Sequence, residues 1–483
     1  MPPAPFRATM AKKRPSSAPG MLSRRSLLRG ALTGSLVILV LYLVFGPSRG
    51  PARAQGASSR NTAHRTEGSA WVDLGENVPW TSFDGGIEGY SVFSDLYFSG
   101  GALVAVVPDE KARAALPKPM AIMSAEQGGP ARADRWTTAV GAELARAEFG
   151  QRVVRLPGVT YIFNDPPGTA GFMDPALTVS HFLPEVFIPA ARAVASTIDD
   201  QTSIESIYPS RLMFPRCGVD KSWRDNQSLN AWFIQRALPG VPIEDKMTWD
   251  DMSAGEVGYI FDKVVIVDRR SAHSVQGDVS RWGKMNGNMP SVPAPLDFFA
   301  PFSSNMIESV GDLLPNVGKY DLPVVVYIDK DGKPGLAPGS HKALVEALKG
   351  LTDIAEVHVT KIKAMTRSQK VALMSRTTIL ISVHGEELLQ SVWMPPGDGA
   401  TVIEIFEDAG FQPDNALLAG LLNLGYIPIQ EKHRLRNWRE LSGSLRGPGK
   451  DSQDLRVDSK ALVGIIRDVL VNKEKSKYFQ QDV

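Results

Sequence analysis

The sequence predicts an α/β protein of two domains, the second a doubly wound sheet, behind one N-terminal transmembrane helix and a disordered stem. From residue 322 onward, apolar β-branched runs alternate with helix-like segments at short spacing, the pattern of a parallel sheet covered by helices. A chain of 483 residues is long enough for two domains beyond its tails. The opening stretch passes instead from basic to apolar to a mixture of Pro, Gly, Ser, Ala and Arg, a composition that packs no core.

Arg7, Lys12, Lys13, Arg14, Arg24, Arg25 and Arg29 precede the apolar run 30–46. That run is about 17 residues, at the short end of what crosses a bilayer. The cations before it make 1–29 a cytoplasmic tail, and 47–70 reads as the stem. A short anchor suits a thin membrane, so a single-pass type II protein of the Golgi is expected, its globular part luminal. Two rivals are a signal-peptidase site at Ala52-Arg53-Ala54 and a twin-arginine signal over 23–29. The run LVILVLYLVF is too hydrophobic for the twin-arginine route, and the anchor is preferred.

The first domain spans 71–300. Residues 91–107 alternate apolar and polar around Gly100-Gly101, a β-hairpin. Residues 111–150 carry a helical pattern, and 160–163 a short strand. His181-Phe182-Leu183-Pro184-Glu185 leads into an apolar helix, 186–195, with Pro184 in its first turn. If His181 caps that helix, Glu185 follows one turn later and both face one cleft. A glycosylation sequon begins at Asn226. A strand over 261–268 ends in Asp268-Arg269-Arg270, and the Ser/Asn/Gly/Pro-rich 271–320 reads as the interdomain connection.

The second domain, 301–483, reads in order as strand 323–328, helix 341–349, strand 356–360, helix 367–375, strand 377–383, strand 401–406, helix 416–424 and strand 426–429. An amphipathic helix over 460–473 closes it. The 53 basic residues nearly cancel the 52 acidic ones, which argues against nucleic acid held by bulk charge. The single cysteine, Cys217, excludes an intrachain disulfide and any Cys-rich metal site. There is no internal repeat, Walker loop or GxGxxG.

Chemistry concentrates at 375–405. The buried strand 377–383 stops at His384-Gly385, a short helical segment follows, and the next strand carries Glu404. Strand, sharp turn and helix place a ligand at the strand's carboxyl end, where free N–H groups favour phosphate. His384 is expected to donate to that phosphate and Glu404 to accept from a ribose hydroxyl. Structural alternatives are that His384 caps the turn, that Glu404 has a structural partner, and that His181 and Glu185 serve capping. Asp329-Lys330-Asp331 is a literal DxD after a strand, a pattern that holds Mn²⁺ and diphosphate in some transferases and is also common in turns.

The signature VHG-x-x-L-x-x-x-x-(F/W)-M-x-P-x(4–6)-V-x-E, present here from Val383 to Glu404, resembles the donor-site signature of glycosyltransferase family 61. That family includes plant xylan xylosyl- and arabinosyltransferases, animal secretory-pathway O-linked N-acetylglucosaminyltransferases and fungal members. His181-Phe182 with Glu185 is similar to its HF-x-x-(D/E) segment, and Trp223-Arg224-Asp225 to a loop of fungal members. The resemblance covers roughly 87–430. It implies the two-domain B-type glycosyltransferase arrangement, two Rossmann-like domains, with the donor in the C-terminal one. It implies inverting transfer of xylose, N-acetylglucosamine or a similar sugar from a UDP-sugar to a hydroxyl of a glycan or glycoprotein, with no cofactor. His181 and Glu185 would be catalytic; His384, Gly385, Glu386, Glu387, Glu404 and Lys333 would line the donor site. Two departures stand out. The family's HGAGL or HGNGL is His384-Gly385-Glu386-Glu387-Leu388, which adds bulk and negative charge beside a diphosphate. An arginine expected near 329–331 is missing, leaving Lys330 or Lys333 to supply its charge. A catalytically weakened or inactive luminal binding protein of the same fold is therefore the alternative.

Overall fold

The computed structural model describes residues 70–75, 77–124, 135–165, 179–198, 204–217, 223–225, 227–276, 288–313, 322–332, 334–406, 412–430, 433–434 and 454–472. The tail, the anchor, nearly all of the stem, Asn226 and Lys333 lie outside the described residues. Among the described residues no helix is long and apolar enough to cross a membrane.

Residues Ser69–Val483 form one compact unit. The two sequence-predicted domains appear within it as two sheets. The N-terminal strands are β1 (Trp71–Asp73), β2 (Ser82–Ile87), β3 (Tyr90–Ser99), β4 (Ala102–Val107), β5 (Trp136–Val140), β6 (Arg152–Phe163), β7 (Pro209–Met213), β8 (Ile243–Glu244) and β9 (Gly258–Val267). Among the described residues they make one nine-stranded sheet of order β5-β4-β3-β9-β6-β7-β8, with β1 added to β6 and β2 to β3. The sheet is mixed. β3 runs antiparallel to β4 and to β9, whereas β9, β6, β7 and β8 are mutually parallel. The parallel half brings Asn164-Asp165, after β6, and Asp268-Arg269, after β9, to the same carboxyl edge.

The C-terminal strands are β10 (Val324–Ile328), β11 (Glu356–Thr360), β12 (Thr377–Val383), β13 (Thr401–Phe406), β14 (Gly425–Gln430) and β15 (His433–Arg434). Their order is β11-β10-β12-β13-β14-β15, parallel except for β15. Runs such as VVVYI and TVIEIF are buried along their whole length because helices cover both faces. Helices Pro338–Lys349 and Ser459–Asn472 cover one face of this sheet.

The other face shares a core with the N-terminal sheet. Phe187, Phe233, Phe302, Trp393 and Leu417 belong to one buried cluster. Phe187 meets Phe302 edge-on at 5.0 Å between ring centroids, and Phe233 lies 6.1 Å from Trp393. The fully buried helix Ile188–Ala195 runs through this cluster. Its Arg192 is a polar strap across it. The guanidinium donates to the carbonyls of Val292 (2.8 Å), Leu421 (2.6 Å) and Pro290 (3.1 Å) and to Asn423 Oδ1 (3.1 Å). It thereby satisfies carbonyls at the end of helix Asp414–Leu421, which that helix cannot satisfy itself. Burial lowers the Arg192 pKa to about 10.

Four expectations need correction. Residues 111–150 are not uniformly helical: short helices Glu110–Ala115 and Pro119–Ile122 precede β5 and helix Ala142–Phe149. Trp136 and Ala139, the two buried residues of β5, are three apart and pack into different cores, so no period-2 alternation marked the strand within the Ala/Arg/Glu background. The strand expected at 160–163 begins at Arg152, because β6 tolerates Pro157-Gly158 at an irregularity between Leu156 and Val159. Pro184 is inside a continuous helix from Val179 to Ala195, where Leu183–Phe187 makes a π-helical turn. Pro184 and Pro189 remove N–H donors there, and the turn widens to accommodate them. Helix Ala300–Glu308 falls inside the stretch expected to be a connection.

Candidate active site

The strand run Thr377–Val383 ends where expected, and His384 N–H continues the ladder by donating to the Ile405 carbonyl at 2.9 Å. Gly385 then lets two side chains approach. A Cβ there would sit 2.6 Å from Glu387 Oε2 and 2.8 Å from Lys330 Nζ. Lys330 Nζ donates to the His384 carbonyl at 2.5 Å. The segment that follows, Glu386–Trp393, is a 3₁₀ helix.

His384 is held from both sides. Its Nδ1 lies 2.6 Å from Glu404 Oε1 and its Nε2 2.8 Å from Gln412 Oε1, and its ring stacks on Phe406 at 5.1 Å. With a carboxylate on one nitrogen and an amide oxygen on the other, the imidazolium is the form that satisfies both. Burial works against that charge, but Glu404 and Gln412 outweigh it and raise the His384 pKa. Glu404 is fully buried. Asn415 Nδ2 donates to its Oε1 at 2.7 Å and the Tyr426 hydroxyl to its Oε2 at 2.5 Å. The expected ribose contact by Glu404 does not fit this arrangement. A carboxylate inside a parallel sheet must be satisfied by protein groups, and three side chains do so; Glu404 positions His384.

The second cluster is built on the π-helical turn. His181 Nδ1 lies 2.6 Å from Glu185 Oε1. Glu185 Oε2 accepts from Arg269 Nη1 at 2.7 Å, and the Arg269 Nε pairs with Asp165 Oδ2. Asp165 Oδ1 also takes the Arg269 backbone N–H at 2.9 Å. Pro189 offers no N–H one turn after Glu185, and the Glu185 carbonyl accepts from Tyr90 at 2.6 Å instead. Behind the cluster, Asp268 accepts from Ser124, Asn164 and the Ser271 N–H. Burial pushes the Glu185 carboxyl up against the pull of His181 and Arg269, and does the same to Asp165 against Arg269. The same burial opposes the Arg269 charge, but its two carboxylates hold the guanidinium above its usual range.

Both clusters reach one cavity of about 230 Å³. Its lining includes His181, Pro184 and Glu185 from the N-terminal side, and His384, Gly385, Glu386, Leu389, Gln412, Asp414 and Asn415 from the C-terminal side. That volume is below the usual 300–1,000 Å³ of a small-molecule site, and suits one ring of a larger ligand. The cavity therefore joins His181, Glu185, His384, Gly385 and Glu386 of the sequence-predicted residues. Glu387 is not among the described lining residues, and its Oε2 and the Lys330 Nζ both come up against Gly385. Asp329 and Asp331 both face the Lys361 ammonium, at 3.6 and 2.9 Å. Among the described residues no group of three or more His, Cys, Asp or Glu side chains is placed to hold a metal ion.

Sequence reasoning did not single out Asp165, Arg269, Gln412, Asp414, Asn415 or Tyr426 as site residues. A signal existed for the first two: each follows a buried strand at its carboxyl end, the position that drew attention to His384. Gln412 and Asn415 had none, since only the turn into helix Asp414–Leu421 brings them back to Glu404. No protein-family model matches the chain, and no curated protein matches it.

Proposed function

We propose that the protein is a nucleotide-sugar-dependent glycosyltransferase of inverting mechanism. Within that class, the proposal is a family 61 type enzyme with the B-type arrangement, taking a UDP-sugar as donor and a glycan or glycoprotein hydroxyl as acceptor. The observation that carries it is that both signature segments, His181–Glu185 and His384–Glu386, line one cavity although about 200 residues separate them in sequence. In the first segment His181 is oriented by a carboxylate on one ring nitrogen, the arrangement that prepares an imidazole for proton transfer, whereas both ring nitrogens of His384 are engaged by Glu404 and Gln412.

Glu185 occupies Nδ1 of His181, which leaves Nε2 to take the proton of the acceptor hydroxyl. As that proton leaves, the acceptor oxygen bonds to the anomeric carbon and the bond from that carbon to the diphosphate oxygen breaks. Glu185, tied to Arg269, stabilises the imidazolium formed. His384 and Gly385 lie on the donor side, at the carboxyl end of a parallel strand. One displacement inverts the anomeric configuration and needs no enzyme nucleophile. A type II membrane topology with this domain in the Golgi lumen belongs to the same proposal.

Glu386, which lines the cavity, favours the second reading, a luminal binding protein that no longer transfers sugar. Calorimetry with UDP, UDP-xylose and UDP-N-acetylglucosamine, each with and without Mn²⁺, separates the readings when combined with a UDP-release assay over xylan and glycoprotein acceptors. Binding with acceptor-dependent UDP release is expected. No binding of any nucleotide overturns the transferase reading, and release only with Mn²⁺ turns attention to Asp329 and Asp331.

A further inference from the structure

Independently of the transferase reading, we infer that a second cavity, built on the β2–β3 hairpin, binds an uncharged phenolic ring. It measures about 640 Å³, inside the usual range of a small-molecule site. The hairpin forms one side of it, and residues 117–121 form the other. The two sides are pinned together where the Gly89 N–H, in the hairpin turn, donates to the Ala121 carbonyl of the short helix Pro119–Ile122 at 2.7 Å. Ser91 carries the inference. Side chains alternate along β3. Tyr90 and Val92 enter the core shared by both sheets, while Ser91 faces the other way, on the side of Phe93. Ser91 is only 2% exposed. Its side chain lines the cavity, and among the described residues its hydroxyl has no hydrogen-bond partner.

The hydroxyl is left uncovered by its cross-strand neighbour, which is Gly86 on β2. Glycine is required at that position: its φ is +103°, and a Cβ would strike the Tyr90 carbonyl oxygen. A buried hydroxyl without a partner costs free energy, and a ligand that reaches it from the cavity removes that cost. The remaining lining selects the body of the ligand. Phe83 offers an aromatic ring, Met120 a thioether, and Ile87 and Pro117 aliphatic surface, contacts that suit an aromatic ring. The charges brought by Glu88 and Lys118 are opposite in sign, which favours a neutral molecule over an ion of either sign. A phenol is neutral at physiological pH. Its O–H donates to Ser91 Oγ while its ring lies against the apolar walls, and the volume leaves room for ring substituents.

The test is fluorine NMR on the full-length protein, wild type and Ser91→Ala. The probe is para-fluorophenol, and para-fluoroanisole is the ether that lacks the donor. The phenol is expected to bind saturably and about fivefold more tightly than the ether, the worth of one hydrogen bond between neutral groups. Ser91→Ala should weaken the phenol by about the same factor and leave the ether unchanged. Without ligand, Ser91→Ala should melt no lower than wild type, because its hydroxyl has no protein partner to lose. His181→Gln should bind the phenol as wild type does, and saturating UDP should not displace it. Failure of the phenol to saturate, equal binding of phenol and ether, or an unchanged phenol affinity in Ser91→Ala overturns the inference. A Ser91→Ala variant that melts several degrees lower shows that the hydroxyl pairs within the protein, and overturns it too. Loss of the probe on adding UDP or in His181→Gln assigns it to the cavity between His181 and His384, with the same result.

Discussion

Arg269→Met should be among the most damaging single substitutions in the protein, and its effect should grow with pH. The guanidinium is fully buried and bridges two buried carboxylates, Asp165 and Glu185. Methionine keeps much of the volume but leaves both carboxylates without their cation. Removing one partner of a buried ion pair costs about 3–5 kcal/mol, and here one residue serves two partners, so the upper end is expected at neutral pH. The carboxyls have an escape. Burial already raises both pKa values, and Arg269 is a main force holding them down. Without it they rise further and take up protons in the folded state. A carboxyl whose folded pKa exceeds its unfolded value contributes stability that is present below the unfolded pKa and lost as pH rises through the folded one. The difference between wild type and variant should therefore be smallest near pH 4–5 and widen toward pH 8. Urea unfolding at a series of pH values measures it. A loss under about 1 kcal/mol, or one of the same size at pH 5 and pH 8, would refute the reasoning, because a buried cation between two carboxylates permits neither. Arg269→Met with Asp165→Asn and Glu185→Gln should recover part of the loss, since it removes the orphaned charges.

Glu404→Gln keeps the shape but gives His384, Asn415 and Tyr426 one acceptor oxygen among them, so stability should fall by about 1–3 kcal/mol; NMR titration should show the His384 pKa dropping, and an unchanged titration would break the link between the two residues. In the wild type, the stability that His384 contributes should be complete below about pH 6.5 and be lost as pH rises through its raised pKa, which the same titration and melting curves against pH will check. Arg192→Met should cost about 2–4 kcal/mol, because it orphans carbonyls at the end of helix Asp414–Leu421; native-state hydrogen exchange should then show that helix opening first, and uniform exchange would count against the strap. Protease treatment of sealed microsomes should leave residues after about 70 intact, as the cationic flank of the apolar run requires; digestion in intact vesicles would reverse the topology.

The C-terminal sheet was legible in the sequence because its signal is local. β10, β12 and β13 are apolar runs rich in β-branched residues, and a strand buried on both faces can be little else. Thr377–Val383 falls on its expected bounds for that reason, and the edge strand Glu356–Thr360 does so through the alternation of Val357 and Val359 with polar residues. The N-terminal sheet was harder. It mixes parallel and antiparallel neighbours, so its strands carry no single pattern, and β5 hid among helix formers. The site divides along the same line. His384 announced itself because a polar residue after a buried strand is a local event, and His181 and Glu185 share one helical face four residues apart. What no local rule contains is pairing across the chain. Arg269 reaches Glu185 over 84 positions and Arg192 reaches Leu421 over 229. The role of Glu404 changed for the same reason. Its sequence position marks it as buried, but only packing against Tyr426, Asn415 and His384 determines that its oxygens are spent inside the protein. Local chemistry wrote the strands, His384 at a strand's end and the helical spacing of His181 and Glu185 into the sequence; the cost of burying charge without partners, met only once the chain has closed on itself, decided which of those groups face the cavity and which hold the others in place.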